Sequence, residues 1–456
     1  MERPEDSRTE PVAPSPASTS NVSYTRAGGG WGRGMGGVGM GEAVGGGFSL
    51  RNLRTFSSLT SPVFRLYYGA MLGQMAAQNM QMMARSLLIY RLTGSAALLG
   101  VMSLANALPM LFLSLYGGVI ADRVQKKYVI LVGELGSAVV ALSIALTLTL
   151  GYLSDERAGS WWILIVASLA QGAIFGFMMP SRQAMIPEMV GEDRVMNAVA
   201  LNAFGMNMLR LAAPAAAGFL VDMLGFEAVF YTMTGLYLMA AAFIALMPLT
   251  GKATLSGRGA LADMAEGFRY VRRETVIFLI LVVTLLTVLL SMPYMTLLPI
   301  FTEDILNVGA TGLGVLISVS GIGAMVGSIT LASLPDKRRG LLLLVCALIL
   351  GLALVGFSFS TSWHLSLIMI GFVGLGQAGR MALGSSLLMY YVEGAYLGRV
   401  MSFYMMEFGL TSFSVFLAAL MAEAVGVQWS VGGLAIVLVF LCVGMLVLVP
   451  RFRRLD

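Results

Sequence analysis

The 456-residue chain is 57% hydrophobic and only 12% charged, with a formal net charge of +5. Soluble domains carry roughly 25% charged residues, so this composition cannot furnish a water-exposed surface and is read as an integral membrane protein. Two cysteines, Cys346 and Cys442, lie in separate apolar runs, and one histidine, His364, supplies all the imidazole. That inventory excludes a disulfide framework, a zinc centre and a Ser-His-Asp hydrolase, so neither a metal nor a cofactor is expected. The basic residues are spread along the chain rather than gathered on a soluble module, which argues against nucleic acid.

In chain order, residues 1–50 are a Pro/Ser-rich and then Gly-rich tail, with 12 glycines between positions 28 and 47. The tail has no apolar run long enough for a signal peptide and is read as disordered. Residues 50–68 intersperse Arg51, Arg54 and Arg65 among Phe, Leu and Tyr, a pattern suited to an amphipathic surface helix. Apolar segments long enough to cross a ~30 Å hydrocarbon layer then recur. They run 64–91, 96–121, 128–153, 160–181, 194–222, 226–249, 276–302, 310–333, 340–360, 364–391, 397–424 and 428–449. The fold expected is an all-α membrane protein of twelve transmembrane helices. The longest internal break, 250–275, is a cytoplasmic linker with an amphipathic helix at 261–273. It separates a six-helix bundle at 51–249 from a second one, with a short basic tail, at 276–456.

Charge supports the count. Twenty Lys and Arg fall in alternate loops and at the ends, against Arg91 and Arg157 on the opposite side. By the positive-inside rule both termini are cytoplasmic. An internal repeat supports two pseudo-symmetric halves: Arg194-Val-Met-Asn197 pairs with Arg399-Val-Met-Ser402, Gln171-Gly-Ala173 with Gln377-Ala-Gly379, and Phe204-Gly205 with Phe408-Gly409. Repeats of this kind enclose a substrate site near the bilayer midplane.

The run Gly118-Val-Ile-Ala-Asp122-Arg123-Val-Gln-Lys126-Lys127 resembles the signature loop of the major facilitator superfamily, G-x-L-A-D-R-x-G-R-K, with Gln125 where the pattern has Gly. Four further stretches are Leu92-Thr-Gly-Ser95, Pro180-Ser-Arg182-Gln-Ala-Met-Ile-Pro187-Glu188, Asn197-Ala-Val-Ala-Leu-Asn202 and Gly398-Arg399-Val-Met-Ser402. Together they resemble the branch of that superfamily containing enterobactin-type and macrolide exporters. An exporter antiport signature is partly present as Ala213-Pro214-Ala-Ala-Ala-Gly218. The resemblance implies secondary transport with efflux as its direction. A carboxylate at a helix C-terminus is disfavoured by the dipole, so Asp122 needs a cationic partner or a neighbouring helix N-terminus. Gly118, Asp122, Arg123, Lys126, Lys127 and Arg182 are therefore read as a cytoplasmic gate, with plain topology as the alternative for the two lysines.

Polar groups inside spans each need a partner or a wet cavity. Gln74, Gln78, Gln81 and Arg85, spaced four, three and four, share one helical face. That face lines a water-filled pathway or makes interhelical hydrogen bonds. Gln171, Asn207, Tyr294, Gln377 and Arg380 complete the candidate substrate cavity. Glu407 is the carboxylate placed nearest a span centre and is the proton-coupling candidate together with Arg210; the competing reading is a structural pair of Glu407 with Arg380 or Arg210. Glu134 is placed nearer the cytoplasmic end of its helix.

The expectation is a monomeric transporter of the inner (plasma) membrane, surrounded by lipid. It works by alternating access and exports an amphipathic small molecule, drug-like or siderophore-like, in exchange for protons. A uniporter or importer of a small metabolite is the alternative. A lipid-modifying intramembrane enzyme would need clustered acid, base or metal ligands, which the chain does not supply, so it is read as no enzyme.

Overall fold

A computed structural model describes residues 59–453 except 155, 158, 190–194, 249–259, 335, 336 and 395, and also residue 455. The readings made on the N-terminal tail, on Arg194, on Asp336 and on the first part of the linker lie outside the described residues.

Helix α1 (Pro62–Thr93) starts at Ser61, whose hydroxyl accepts the amide N–H of Phe64 at 3.4 Å, and has Pro62 in its first turn. It ends at Gly94, whose left-handed φ of 63° returns its N–H to the carbonyl of Tyr90. Part of the expected surface helix, from 62 to 68, is thus the first two turns of α1, with Phe64 and Tyr67 buried. Helices α2 (Ala96–Arg123), α3 (Lys126–Thr149) and α4 (Trp162–Met189) follow. Helix α5 (Val195–Leu246) is interrupted by a kink at Gly225, where φ 85° and ψ 173° are open only to glycine, at the boundary between the two expected spans. The amphipathic α6 (Ala260–Arg273) is seated on the start of a later helix, α12 (Leu397–Val425). Glu266 meets Arg399 at 3.1 Å, and the rings of Tyr270 and Tyr396 stack 4.2 Å apart.

The segment expected at 276–302 is three pieces. Helix α7 (Thr275–Ser291) gives way at Pro293 to α8 (Pro293–Ile300), and a π-helical turn covers Phe301–Ile305. Pro293 and Pro299 lack the N–H that a continuous helix requires, which accounts for the division. Helices α9 (Gly309–Ser333), α10 (Arg339–Ser358), α11 (Trp363–Tyr391), α12, α13 (Val427–Leu448) and the short α14 (Pro450–Arg453) complete the chain.

Among the described residues ten segments are long and apolar enough to cross a membrane; one of them, Ala200–Leu246, runs 47 residues through the Gly225 break. Large apolar side chains such as Phe112, Val132, Phe440 and Leu448 are exposed on the outside, as a lipid-facing surface requires.

Helix α1 packs on α5, α2 on α4, and α3 on both α4 and α5. After α6, α9 packs on α11, α11 on α10, and α10 and α12 on α13. These two groups meet where α5 crosses α9 and where α2 crosses α12. At the α5–α9 crossing the backbones touch: a Cβ on Gly218 would fall 2.3 Å from the carbonyl oxygen of Ala310, and one on Gly314 would fall 2.5 Å from that of Pro214.

Candidate functional site

A cavity of about 540 Å³ lies between the two groups of helices, bordered by α1, α5, α7, α8, α9, α11 and α12. Its polar lining is Gln78, Asn79, Ser86, Arg210, Gln377, Arg380, Tyr404, Glu407 and Thr411. A second lobe of about 480 Å³ shares Gln78, Asn79, Met82, Met206 and Arg210 with the first and extends between α1, α2, α4 and α5. Gln74, Gln81, Arg85, Asn106, Arg182 and Asn207 border it. The apolar part of both walls is rich in methionine, among them Met82, Met110, Met178, Met206, Met292 and Met295. Unbranched thioethers form an adaptable surface.

The glutamine face of α1 makes both kinds of contact that its spacing allows. Gln78 borders both lobes, while Gln74 and Gln81, only 1% and 2% exposed, border the second lobe alone. Gln81 accepts the hydroxyl of Tyr237 at 2.9 Å and donates to Gln171 at 3.3 Å, and Gln171 donates to Ser137 at 3.0 Å. This relay joins α1, α3, α4 and α5 through groups that would otherwise be unsatisfied in low dielectric. Gln171 therefore sits in the wall, fully buried. Tyr294 is also a wall residue, with its hydroxyl 3.4 Å from that of Ser320. Asn207 borders the second lobe and donates to the carbonyl of Ala203.

On the opposite wall Arg380 Nη1 stands 3.2 Å from Glu407 Oε2, with the two side chains only 5% and 7% exposed. Glu407 Oε1, Arg380 Nε and Gln377 Oε1 are buried without a hydrogen-bond partner. Arg210 borders the same cavity from α5 but forms no ion pair among the described residues. Glu134, on α3, is 1% exposed, and Arg182 is the cation within its electrostatic reach.

The expected cytoplasmic gate is only partly visible. Gly118, Asp122 and Arg123 end α2, and their side chains lie outside the described residues. Lys126 opens α3, and Lys127 donates to the carbonyls of Ala245 (2.8 Å) and Met247 at the end of α5, satisfying acceptors that a helix C-terminus leaves free. Arg182 borders the second lobe.

Among the described residues, a cluster of polar links between the two groups lies at the other end of the bundle, and Ser318 Oγ donates to the carbonyl of Leu211 across the α5–α9 crossing. Arg91 meets Glu303 at 2.8 Å, and Tyr90 donates to Asp304. Asp222 accepts the amide of Thr311 at 2.7 Å, and Glu423 accepts Ser95 Oγ at 3.2 Å and the amide of Ala97 at 3.1 Å. The last two contacts set carboxylates against the first turns of α9 and α2, where the helix dipole favours them.

Sequence reasoning missed Asn79, Ser86, Tyr404 and Thr411. Asn79, Met82, Met83 and Ser86 recur at the spacing of one helical face beside the glutamines, and that periodicity is the signal that would have found them.

Residues 53–456 match the family model described as transmembrane secretion effector. The chain is 23% identical over 340 residues to the staphyloferrin A transporter of Staphylococcus aureus, covering 73% of this chain and 83% of that protein. It is 23% identical over 378 residues to macrolide efflux protein A of Streptococcus pyogenes, covering 80% and 90%. Among solved structures it resembles the nucleoside transporter NupG with a TM-score of 0.65 at 14% identity, over 85% of this chain and 99% of that one. With a methionine-walled cavity between two helical groups and a family match over nearly the whole chain, the protein belongs to the transmembrane secretion effector family of the major facilitator superfamily, and is a multi-pass membrane transporter rather than an enzyme.

Proposed function

We propose that the chain is a proton-coupled exporter of an amphipathic small molecule, working by alternating access in the inner membrane. Ten apolar segments, with Ala200–Leu246 counted as two crossings about Gly225 and with the 32-residue α1 added, make twelve spans. Residues 51–249 and 276–456 then form two six-helix bundles, with the 250–275 linker and both termini on the cytoplasmic side. In this orientation the Arg91–Glu303, Asp222–Thr311 and Glu423–Ala97 contacts close the outer face.

One observation carries the coupling: Glu407 borders the cavity, bonds Arg380 through one oxygen at 3.2 Å and leaves the other without a partner. Protonation of Glu407 would cancel its attraction for Arg380 and free that guanidinium to meet substrate. Deprotonation would restore the pair and release what Arg380 held. Efflux as the direction is supported by the relatives whose names mark them as efflux proteins.

The test uses proteoliposomes with an imposed pH gradient and amphipathic dyes of either charge. Dye moving against its own gradient, and stopping when a protonophore is added, is the expected result. Dye that only runs down its own gradient would replace coupling with uniport.

A further inference from the structure

The charges around the cavity do not cancel. Four arginines border the two lobes: Arg85, Arg182, Arg210 and Arg380. Glu407 holds Arg380 at 3.2 Å, and Glu134, behind the wall, faces Arg182. Arg85 and Arg210 have no carboxylate within ion-pair distance among the described residues. Arg85 is 8% exposed, borders the second lobe, and keeps Nη1 buried with no hydrogen-bond partner. A guanidinium in that state is costly in low dielectric unless something anionic comes to it. Arg210 lies where the two lobes join, so both guanidinium groups address one continuous space. Amides of Gln78 and Asn79 and the thioethers of Met82 and Met206 lie along the same junction.

We propose that this junction binds an organic anion, a carboxylate or sulfonate carried on an apolar body, with Arg85 and Arg210 as the charge partners and the methionine wall around the body. The proposal rests on reading the cavity as the substrate route. Guanidinium forks match the planar oxygens of a carboxylate or sulfonate, and thioethers accommodate a variable apolar frame. A cationic substrate would add a like charge to a lobe that already holds two uncompensated ones.

The test is equilibrium binding to the purified full-length chain in detergent, read by fluorescence anisotropy. The probes are fluorescein and rhodamine 123, which share a xanthene frame and carry opposite charge, at mildly alkaline pH. Fluorescein is expected to bind at least tenfold more tightly than rhodamine 123, and Arg85→Gln and Arg210→Gln are each expected to weaken it tenfold or more. Arg210 is partly exposed, so Arg210→Gln carries the test even where Arg85→Gln lowers the yield of folded protein. Size-exclusion profiles matching the unaltered protein establish that each variant is folded. Equal or tighter binding of rhodamine 123, or fluorescein affinity unchanged in a folded Arg210→Gln protein, overturns the proposal. No gradient is imposed, so absence of proton-driven transport would refute the exporter reading while leaving anion binding standing, and loss of the charge preference would do the reverse.

Discussion

Glu407→Gln separates a coupling carboxylate from a purely structural one. The pair it disrupts is a single contact of 3.2 Å between side chains 5% and 7% exposed. At that separation, and at the effective dielectric of about 20 that suits partly wet protein, the attraction is about 5 kcal/mol. Glutamine keeps an oxygen that can accept from Arg380, and a hydrogen bond to a charged donor returns about 1.5–3 kcal/mol. The net loss is therefore about 2–3.5 kcal/mol, enough to lower the melting temperature by several degrees. Replacing both partners, as Arg380→Gln with Glu407→Gln, removes the stranded charge and should recover much of that loss. Stability and gradient-driven dye transport are measured on the same preparations. The expected pattern is that the double variant recovers stability, that both variants lose uphill transport, and that only the Glu407→Gln protein, which retains Arg380, keeps downhill movement. Full uphill transport by the Glu407→Gln protein would refute the assignment of coupling to this residue.

Two further outcomes are expected. Gly374→Ala on α11 would set a methyl 1.9 Å from the carbonyl oxygen of Ser320 on α9, so it should force the two helices apart and lose about 1–3 kcal/mol in thermal unfolding, whereas Gly433→Ala on α13, with nothing within 4 Å, should be neutral or slightly stabilising. In a background with Cys346 and Cys442 replaced, a cysteine at Glu156 should label from outside intact cells and one at Lys337 only after permeabilisation; the reverse at either site would contradict the proposed topology.

The apolar segments were legible because length and hydropathy are local properties. The boundary expected near Gly225 coincides with a kink in α5. In 276–302 the prolines that divide the helix were visible, whereas the π-helical turn at Phe301–Ile305, with Phe301 and Thr302 buried, carried no local signal. The polar face of α1 could be read from its spacing. The partners that Gln81 finds, Tyr237 and Gln171, lie 156 and 90 positions away in the sequence, and such pairings have no local signature. Charge counting left Arg380 and Arg210 open as partners of Glu407. The structure pairs Glu407 with Arg380, which lies on the neighbouring α11, and leaves Arg210 at the junction of the lobes.

The α5–α9 crossing, where Gly218 meets Ala310 and Gly314 meets Pro214 backbone to backbone, has a mechanical meaning. Interlocked side chains act as gear teeth and must disengage before one helix can turn on another. Backbone contact at these glycines instead resembles a plain bearing, pinned nearby by the Ser318 hydroxyl on the Leu211 carbonyl. Resistance to the proposed rocking would then reside in the polar contacts around Arg91, Asp222 and Glu423 together with that one hydrogen bond at the pivot. Several of those contacts are solvent-exposed and joined by charge, so added salt would act on the switching rate as a lubricant, screening the clasp while leaving the bearing untouched.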